Sequence, residues 1–219
     1  MARRKFIPEQ TFPYHVYNRT LDRSFYGLNM DQVWGIFVNQ CRIMTWCFGV
    51  KINAFVLMSN HYHLLCTTPE KNLDEAICFF QSNISREISN LTYTQRFRFA
   101  TRYKWSLIRE ANHYSNVFRY IYQNPLRAEI CDSVSNYKYS TLSGLVGNEA
   151  LGCPIYPQEL FSEVHPSDPF ELLEFVNFKL PEILLEQTRK GVRRTLFKPP
   201  EEKRCKRVGG DGKKSLGAF

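Results

Sequence analysis

No apolar run in the 219-residue chain approaches the roughly 18 residues a membrane-spanning helix needs. The basic start, Met1-Ala2-Arg3-Arg4-Lys5, is followed by Ile7-Pro8-Glu9-Gln10 where a signal peptide would carry its apolar stretch. The expected location is therefore the cytoplasm, with no membrane partner. The seven cysteines, at 41, 47, 66, 78, 131, 153 and 205, are odd in number and contain no Cys-x-x-Cys pair. Their scatter excludes a disulfide framework and a zinc cluster, and predicts reduced, buried thiols. No internal repeat is present. What the chain does have is 43% hydrophobic and 15% aromatic residues, enough to bury a core without staples and to exclude wholesale disorder.

Acidic residues are scarce, 21 against 29 Lys and Arg, for a formal charge of +8. Divided along the chain, residues 1–127 carry 16 basic and 8 acidic side chains, residues 128–188 carry 2 and 10, and residues 189–219 carry 11 and 3. A basic, aromatic-rich first block suggests a polyanion partner, because Lys and Arg gain affinity by releasing phosphate counterions. The acidic middle block fits a segment docked on the first, a cover over its basic surface, or a partner interface.

The alternation in residues 13–19 predicts a strand. Val33, Phe37, Cys41, Met44 and Cys47 recur at helical spacing after a capping Asn29, which predicts a core-facing helix to about Phe48. Residues 51–58 and 61–67 read as two strands joined by Ser59-Asn60, an antiparallel hairpin. Ile77, Phe80, Ile84 and Ile88 predict a helix over 72–90, Lys104 to Arg109 a fourth strand, and Tyr114 to Asn124 a helix that Pro125 stops. The order β-α-β-β-α-β-α gives an α+β fold, a ferredoxin-like (RRM-like) antiparallel sheet with helices on one face and the other partly free. The expected division is a main folded domain over 1–145, a partly helical extension over 146–198 with helices near 169–178 and 181–194, and a basic disordered tail over 199–219.

Two constellations can carry chemistry. His61 and His63 stand at i and i+2 of a strand, on one face about 6.5–7 Å apart, where two imidazoles can converge on one ion. Alone, such a pair is more often two satisfied histidines, and a hydrolytic zinc site takes three protein ligands. Tyr120 and Asn124 are four apart, so they share a helix face. A phenol beside a metal can attack a phosphoryl group, although a helical tyrosine is usually core or rim and Asn before Pro an ordinary terminator.

Together, Leu57-Met58-Ser59-Asn60-His61-Tyr62-His63-Leu64-Leu65 and Arg119-Tyr120-Ile121-Tyr122-Gln123-Asn124-Pro125-Leu126-Arg127-Ala128 resemble the transposase branch of the HUH endonucleases, and within it the REP-associated tyrosine transposases. The strand Tyr14 to Arg19, the segment Tyr103 to Ile108 and Tyr137-Lys138-Tyr139-Ser140-Thr141 agree, so the resemblance covers about residues 10–145. Ser59 stands where many relatives have proline, a change the turn tolerates. The resemblance implies that His61, His63 and Asn124 hold a divalent ion, Mg²⁺ or Mn²⁺. It also implies that Tyr120 attacks a scissile phosphate of single-stranded or hairpin-forming palindromic DNA, leaving a 5′-phosphotyrosine and a free 3′-hydroxyl.

Arg96, Phe97, Arg98, Phe99, Arg102, Tyr103, Lys104 and Trp105 interleave cations with aromatic faces, as single-strand binding requires, with the core as the other home for the aromatics. Arg19, Arg119 and Arg127 are further candidates for the DNA backbone, and Arg3 and Arg4 for a hairpin stem; Arg127 fits a helix C-terminal charge equally well. The sequence leaves monomer and homodimer open. Three alternatives remain: a non-catalytic RRM-like nucleic-acid-binding repressor, a replication-initiator or relaxase-type nickase, and a zinc hydrolase with a further ligand such as His15.

Overall fold

The computed structural model describes residues 6–93, 97–147 and 152–198. Arg3, Arg4, Arg96 and the 199–219 tail lie outside them.

Four strands form one antiparallel sheet in the order β2-β3-β1-β4: β1 (Tyr14–Arg19), β2 (Lys51–Leu57), β3 (His61–Thr67) and β4 (Lys104–Leu107). Its class is α+β. The hairpin closes where expected, with Met58 N–H donating to the His61 carbonyl. Helix α1 (Met30–Phe48) starts at Asn29, whose side chain accepts from Gln32 N–H, and ends at Gly49 in the left-handed conformation, φ 66°. These are the N-cap and C-cap residues that leave the fewest end groups unsatisfied.

Period-two alternation divides the strands between two cores. Tyr14 and Val16 of β1, Tyr62, Leu64 and Cys66 of β3, and Trp105 and Leu107 of β4 face α1 and α2 (Leu73–Leu91), where Phe37, Phe80 and Ile84 fill the layer. Ala54, Val56 and Leu65 face the other way, onto α3 (Ala111–Tyr122) through Val117, Phe118 and Ile121. Helices on one face thus describes α1 and α2, while α3 covers part of the second face. The C-terminal elements join this second core: α6 (Pro169–Asn177) brings Leu172 and Val176, and the chain after α7 (Glu182–Gly191) brings Val192 and Phe197. The acidic block docks on α3, because α3 is apolar on two sides and the sheet covers only one.

Both sheet edges are capped. Leu57 N–H donates to Tyr139 O and Thr141 N–H to Phe55 O along β2, while Leu107 N–H donates to Thr195 O and Phe197 N–H to Leu107 O along β4. These bonds occupy strand groups at both edges that would otherwise be open to another chain.

Three expectations need correction. Helix α3 ends at Tyr122, and Pro125 does not stop the chain but sits in the first turn of α4 (Asn124–Arg127), where its missing N–H costs nothing. Cys47 and Cys78 are exposed, whereas Cys41, Cys66 and Cys153 are buried and all are free thiols. Cys47 lies past the apolar stripe of α1. Phe97, Phe99 and Trp105 all pack on the first core. The short helix α5 (Leu142–Leu145) completes the set.

Candidate active site

The two central strands carry the site. On the face opposite α1 and α2, β1 presents His15, Tyr17 and Arg19, and β3 presents His61 and His63. Register sets Tyr17 opposite His63 and Arg19 opposite His61. The His61 and His63 rings lie 5.3 Å apart, nearly perpendicular. The Tyr120 ring stands edge-on to both His63 (5.7 Å) and His15 (6.3 Å). Residues far apart in sequence therefore converge because α3 packs Val117 and Ile121 onto Val56 and Leu65, which turns the half-buried Tyr120 toward the strand that bears the histidines.

The imidazoles are oriented from behind. Asn60 donates its amide to Arg23 O (3.0 Å), which identifies its oxygen as the atom 2.7 Å from His61 Nδ1. His61 must then carry its proton on Nδ1 and keep a lone pair on Nε2. The buried His15 places Nε2 2.9 Å from His63 Nδ1. If His15 accepts there, His63 likewise keeps a lone pair on Nε2. Backing of this kind fixes tautomer and ring angle in metal-binding histidines. The other His15 nitrogen, Nδ1, is buried with no partner among the described residues.

Burial depresses the proton affinity of all three rings. His15 falls to about 3, and His61 to about 4 with Arg19 adding to the effect. His63 falls well below its ordinary value, by burial and then by His15, His61 and Arg127. Near neutrality the rings are uncharged, the state in which imidazole ligates a metal.

Asn124 is engaged by its own helix and by Arg127. Its Nδ2 donates to the carbonyls of Tyr120 (3.0 Å) and Ile121 (3.2 Å), and its Oδ1 accepts from Arg127 Nη2 at 2.6 Å. An amide oxygen has a second lone pair, so it can serve an ion only while shared with Arg127. Arg127 also lies over the Tyr120 ring, 4.2 Å from its centre, and its Nη1 is buried without a partner among the described residues. No group of three or more His, Cys, Asp and Glu side chains gathers as for a metal ion among the described residues. His15, His61 and His63 are thus not gathered as a zinc-hydrolase set among the described residues, and His15 Nε2 is directed at His63 Nδ1.

The remaining candidates divide. Arg19 and Lys104 lie on the histidine face, Lys104 opposite Tyr17. Arg102 pairs with Asp74 of α2 at 2.6 Å, on the other side of the sheet. Arg98 is exposed beside the Thr20–Phe99 bridge. Arg119 is drawn to the extension, stacking on Phe175 (5.1 Å) and Phe178 (5.5 Å) and donating to Phe178 O. Sequence reasoning gave no role to Tyr17 or Asn60. The signals available were the alternation of β1, which puts Tyr17 on the face of His15, and the position of Asn60 beside His61.

No protein-family model matches the chain, and no curated protein does. Among solved structures, a putatively assigned transposase from Deinococcus radiodurans aligns with 59% of this chain and 92% of its own at 15% identity and a TM-score of 0.38. A REP-associated tyrosine transposase, solved bound to a REP hairpin, aligns with 70% of this chain and 92% of its own at 18% identity and a TM-score of 0.57. The chain is similar in fold to that REP-associated tyrosine transposase, the kind of protein its two motifs resemble.

Proposed function

We propose that the protein is a transposase-type enzyme that cleaves and rejoins single-stranded DNA through Tyr120. One observation carries the reading: a half-buried tyrosine stands edge-on to His63, whose neutral, backed ring shares a sheet face with that of His61. A divalent ion, Mg²⁺ or Mn²⁺, would be held by His61 and His63, with Asn124 Oδ1 as a third donor shared with Arg127. Bound there, the ion would offset negative charge on the scissile phosphate and orient the leaving oxygen.

The chain's own groups do the rest. The Tyr120 oxygen attacks phosphorus, the P–O3′ bond breaks, the phenol proton passes to solvent, and the departing 3′-oxygen takes up a proton. The 5′-phosphotyrosine conserves the phosphodiester bond energy, so attack by another 3′-hydroxyl rejoins a strand without a nucleotide cofactor. Arg127, whose Nη1 is buried and has no partner among the described residues, would donate to a phosphate oxygen. The REP hairpin in the similar structure makes hairpin-forming palindromes the first targets to test.

The test is incubation with single-stranded palindromic oligonucleotides in Mg²⁺ or Mn²⁺, with and without chelator. Metal-dependent cleavage that is lost in His61→Ala supports the reading. Tight, salt-sensitive binding without cleavage in either metal supports the non-catalytic repressor instead.

A further inference from the structure

Beside the histidines, across Tyr17, lies a cleft of about 380 Å³ lined by Tyr17, Asn18, Arg19, Thr101, Lys104 and Arg193. Three of the six are cationic and none is acidic. None of the three cations forms a salt bridge among the described residues, although Arg102, Arg109, Arg189 and Lys190 do. Like charges gathered in one concavity raise the free energy of the fold unless an anion offsets them.

Backbone pairing fixes the unexpected member. Leu107 N–H donates to Thr195 O and Phe197 N–H to Leu107 O, each at 2.9 Å, which ties the segment after α7 to the edge of β4. β4 separates that segment from β1, and Arg193 reaches back to line the cleft with Lys104 and Tyr17. Register sets Tyr17 opposite both His63 and Lys104. Its ring lies 5.8 Å from that of His63 and 5.7 Å from the Lys104 ammonium. The cleft and the histidine pair thus share a wall. Neighbouring strands are about 4.8 Å apart, so Lys104 stands roughly two strand spacings from His63.

We propose that this cleft is a phosphate subsite, holding a backbone phosphate of the DNA strand near the scissile linkage, and that the C-terminal extension supplies Arg193 to complete it. This rests on the strand-cleaving reading above. The extension is then part of the nucleic-acid site, and its basic end acts at a defined linkage rather than as diffuse charge.

The test is a cycle between protein and DNA. Binding of a single-stranded oligonucleotide is measured for the wild type, Arg193→Ala and Arg194→Ala, with neutral methylphosphonate linkages placed singly along the strand. Arg194 is exposed and outside the cleft lining, so its loss controls for net charge. Arg193→Ala is expected to weaken binding about tenfold, the scale of one charge-assisted hydrogen bond. The slope of log affinity against log salt should shrink by about 0.7, the value for one single-strand phosphate contact. One methylphosphonate near the cleaved linkage should weaken wild-type binding and add nothing in Arg193→Ala. Arg193→Ala behaving like wild type or like Arg194→Ala, or no linkage coupling to it, overturns the proposal while the Tyr120 adduct still forms. A wild type that neither binds nor cleaves the strand overturns the strand-cleaving reading, and this subsite with it.

Discussion

Arg127 holds Tyr120 from two directions: its guanidinium lies 4.2 Å from the centre of the phenol ring, and its Nη2 donates to the Tyr120 carbonyl at 3.2 Å. The same nitrogen holds Asn124 Oδ1. One side chain thus orders both motif residues and keeps Nη1 without a partner among the described residues. Arg127→Ala should slow formation of the Tyr120–DNA adduct by about 10–100-fold, a barrier change of about 1.4–2.7 kcal/mol. Arg127→Lys should recover little, because an ammonium lacks the planar fork. Single-turnover kinetics at saturating DNA, on variants with wild-type circular dichroism, would show it; a rate unchanged in Arg127→Ala would remove Arg127 from the mechanism.

His15 backs His63 as Asn60 backs His61. His15→Phe fills the space but offers no acceptor, whereas His15→Gln restores one near Nε2. Mn²⁺ affinity should fall by about 10–100-fold in His15→Phe, the range for lost outer-shell partners, and recover in part in His15→Gln. Nitrogen NMR of the metal-free protein gives a second readout: the His63 Nδ1–H tautomer should dominate in wild type and in His15→Gln but not in His15→Phe. Identical spectra in all three would mean that His15 only packs.

The three depressed histidines also make stability depend on pH. Unfolded, they take up protons near 6.5. Folded, His61 does so only near 4 and His15 near 3. Between those values the unfolded chain binds more protons, so their contribution is complete above about pH 6.5 and is lost as the pH falls. Each adds at most about 1.4 kcal/mol per pH unit to the decline. Urea unfolding from pH 7 to 4.5 should show a shallower fall for His15→Gln than for wild type; parallel curves would contradict the assignment.

Gln123 ties the extension to the tyrosine helix. Its Nε2 donates to Val176 O (2.7 Å) and Phe178 O (2.8 Å), and its Oε1 accepts from Leu180 N–H (3.3 Å). Gln123→Ala leaves Val176 O and Leu180 N–H without that partner, while Arg119 still donates to Phe178 O, and should cost about 2–4 kcal/mol. For a chain of this size that lowers the melting temperature by about 4–16 °C. Calorimetry measures it, and an unchanged melting temperature would mean that the extension contributes little to the fold.

The strands and their hairpin were legible because alternation has a period of two, and β3 runs from His61 to Thr67 as read. The approach of Tyr120 to His63 follows from which face of α3 is apolar, a pattern visible in Val117, Phe118 and Ile121. Three features were not legible. Pro125 reads as a stop, yet it also suits a first helical turn, and only the packing of α4 decides. Arg119 and Arg127 look alike as cations flanking a helix, but Phe175 and Phe178 claim one while Tyr120 and Asn124 claim the other. Arg193 reaches the histidine face only through pairing along the β4 edge, and no local pattern announces a contact so distant in sequence.

The central claim is that the Tyr120 oxygen forms the covalent bond to DNA. The most direct measurement is mass spectrometry of the denatured, proteolysed product of the protein with Mn²⁺ and a single-stranded palindromic oligonucleotide. The account predicts a nucleotide phosphate on the peptide containing Tyr120, absent in Tyr120→Phe although that variant still binds the strand. Cleavage that persists in Tyr120→Phe, or an adduct on another residue, would contradict it.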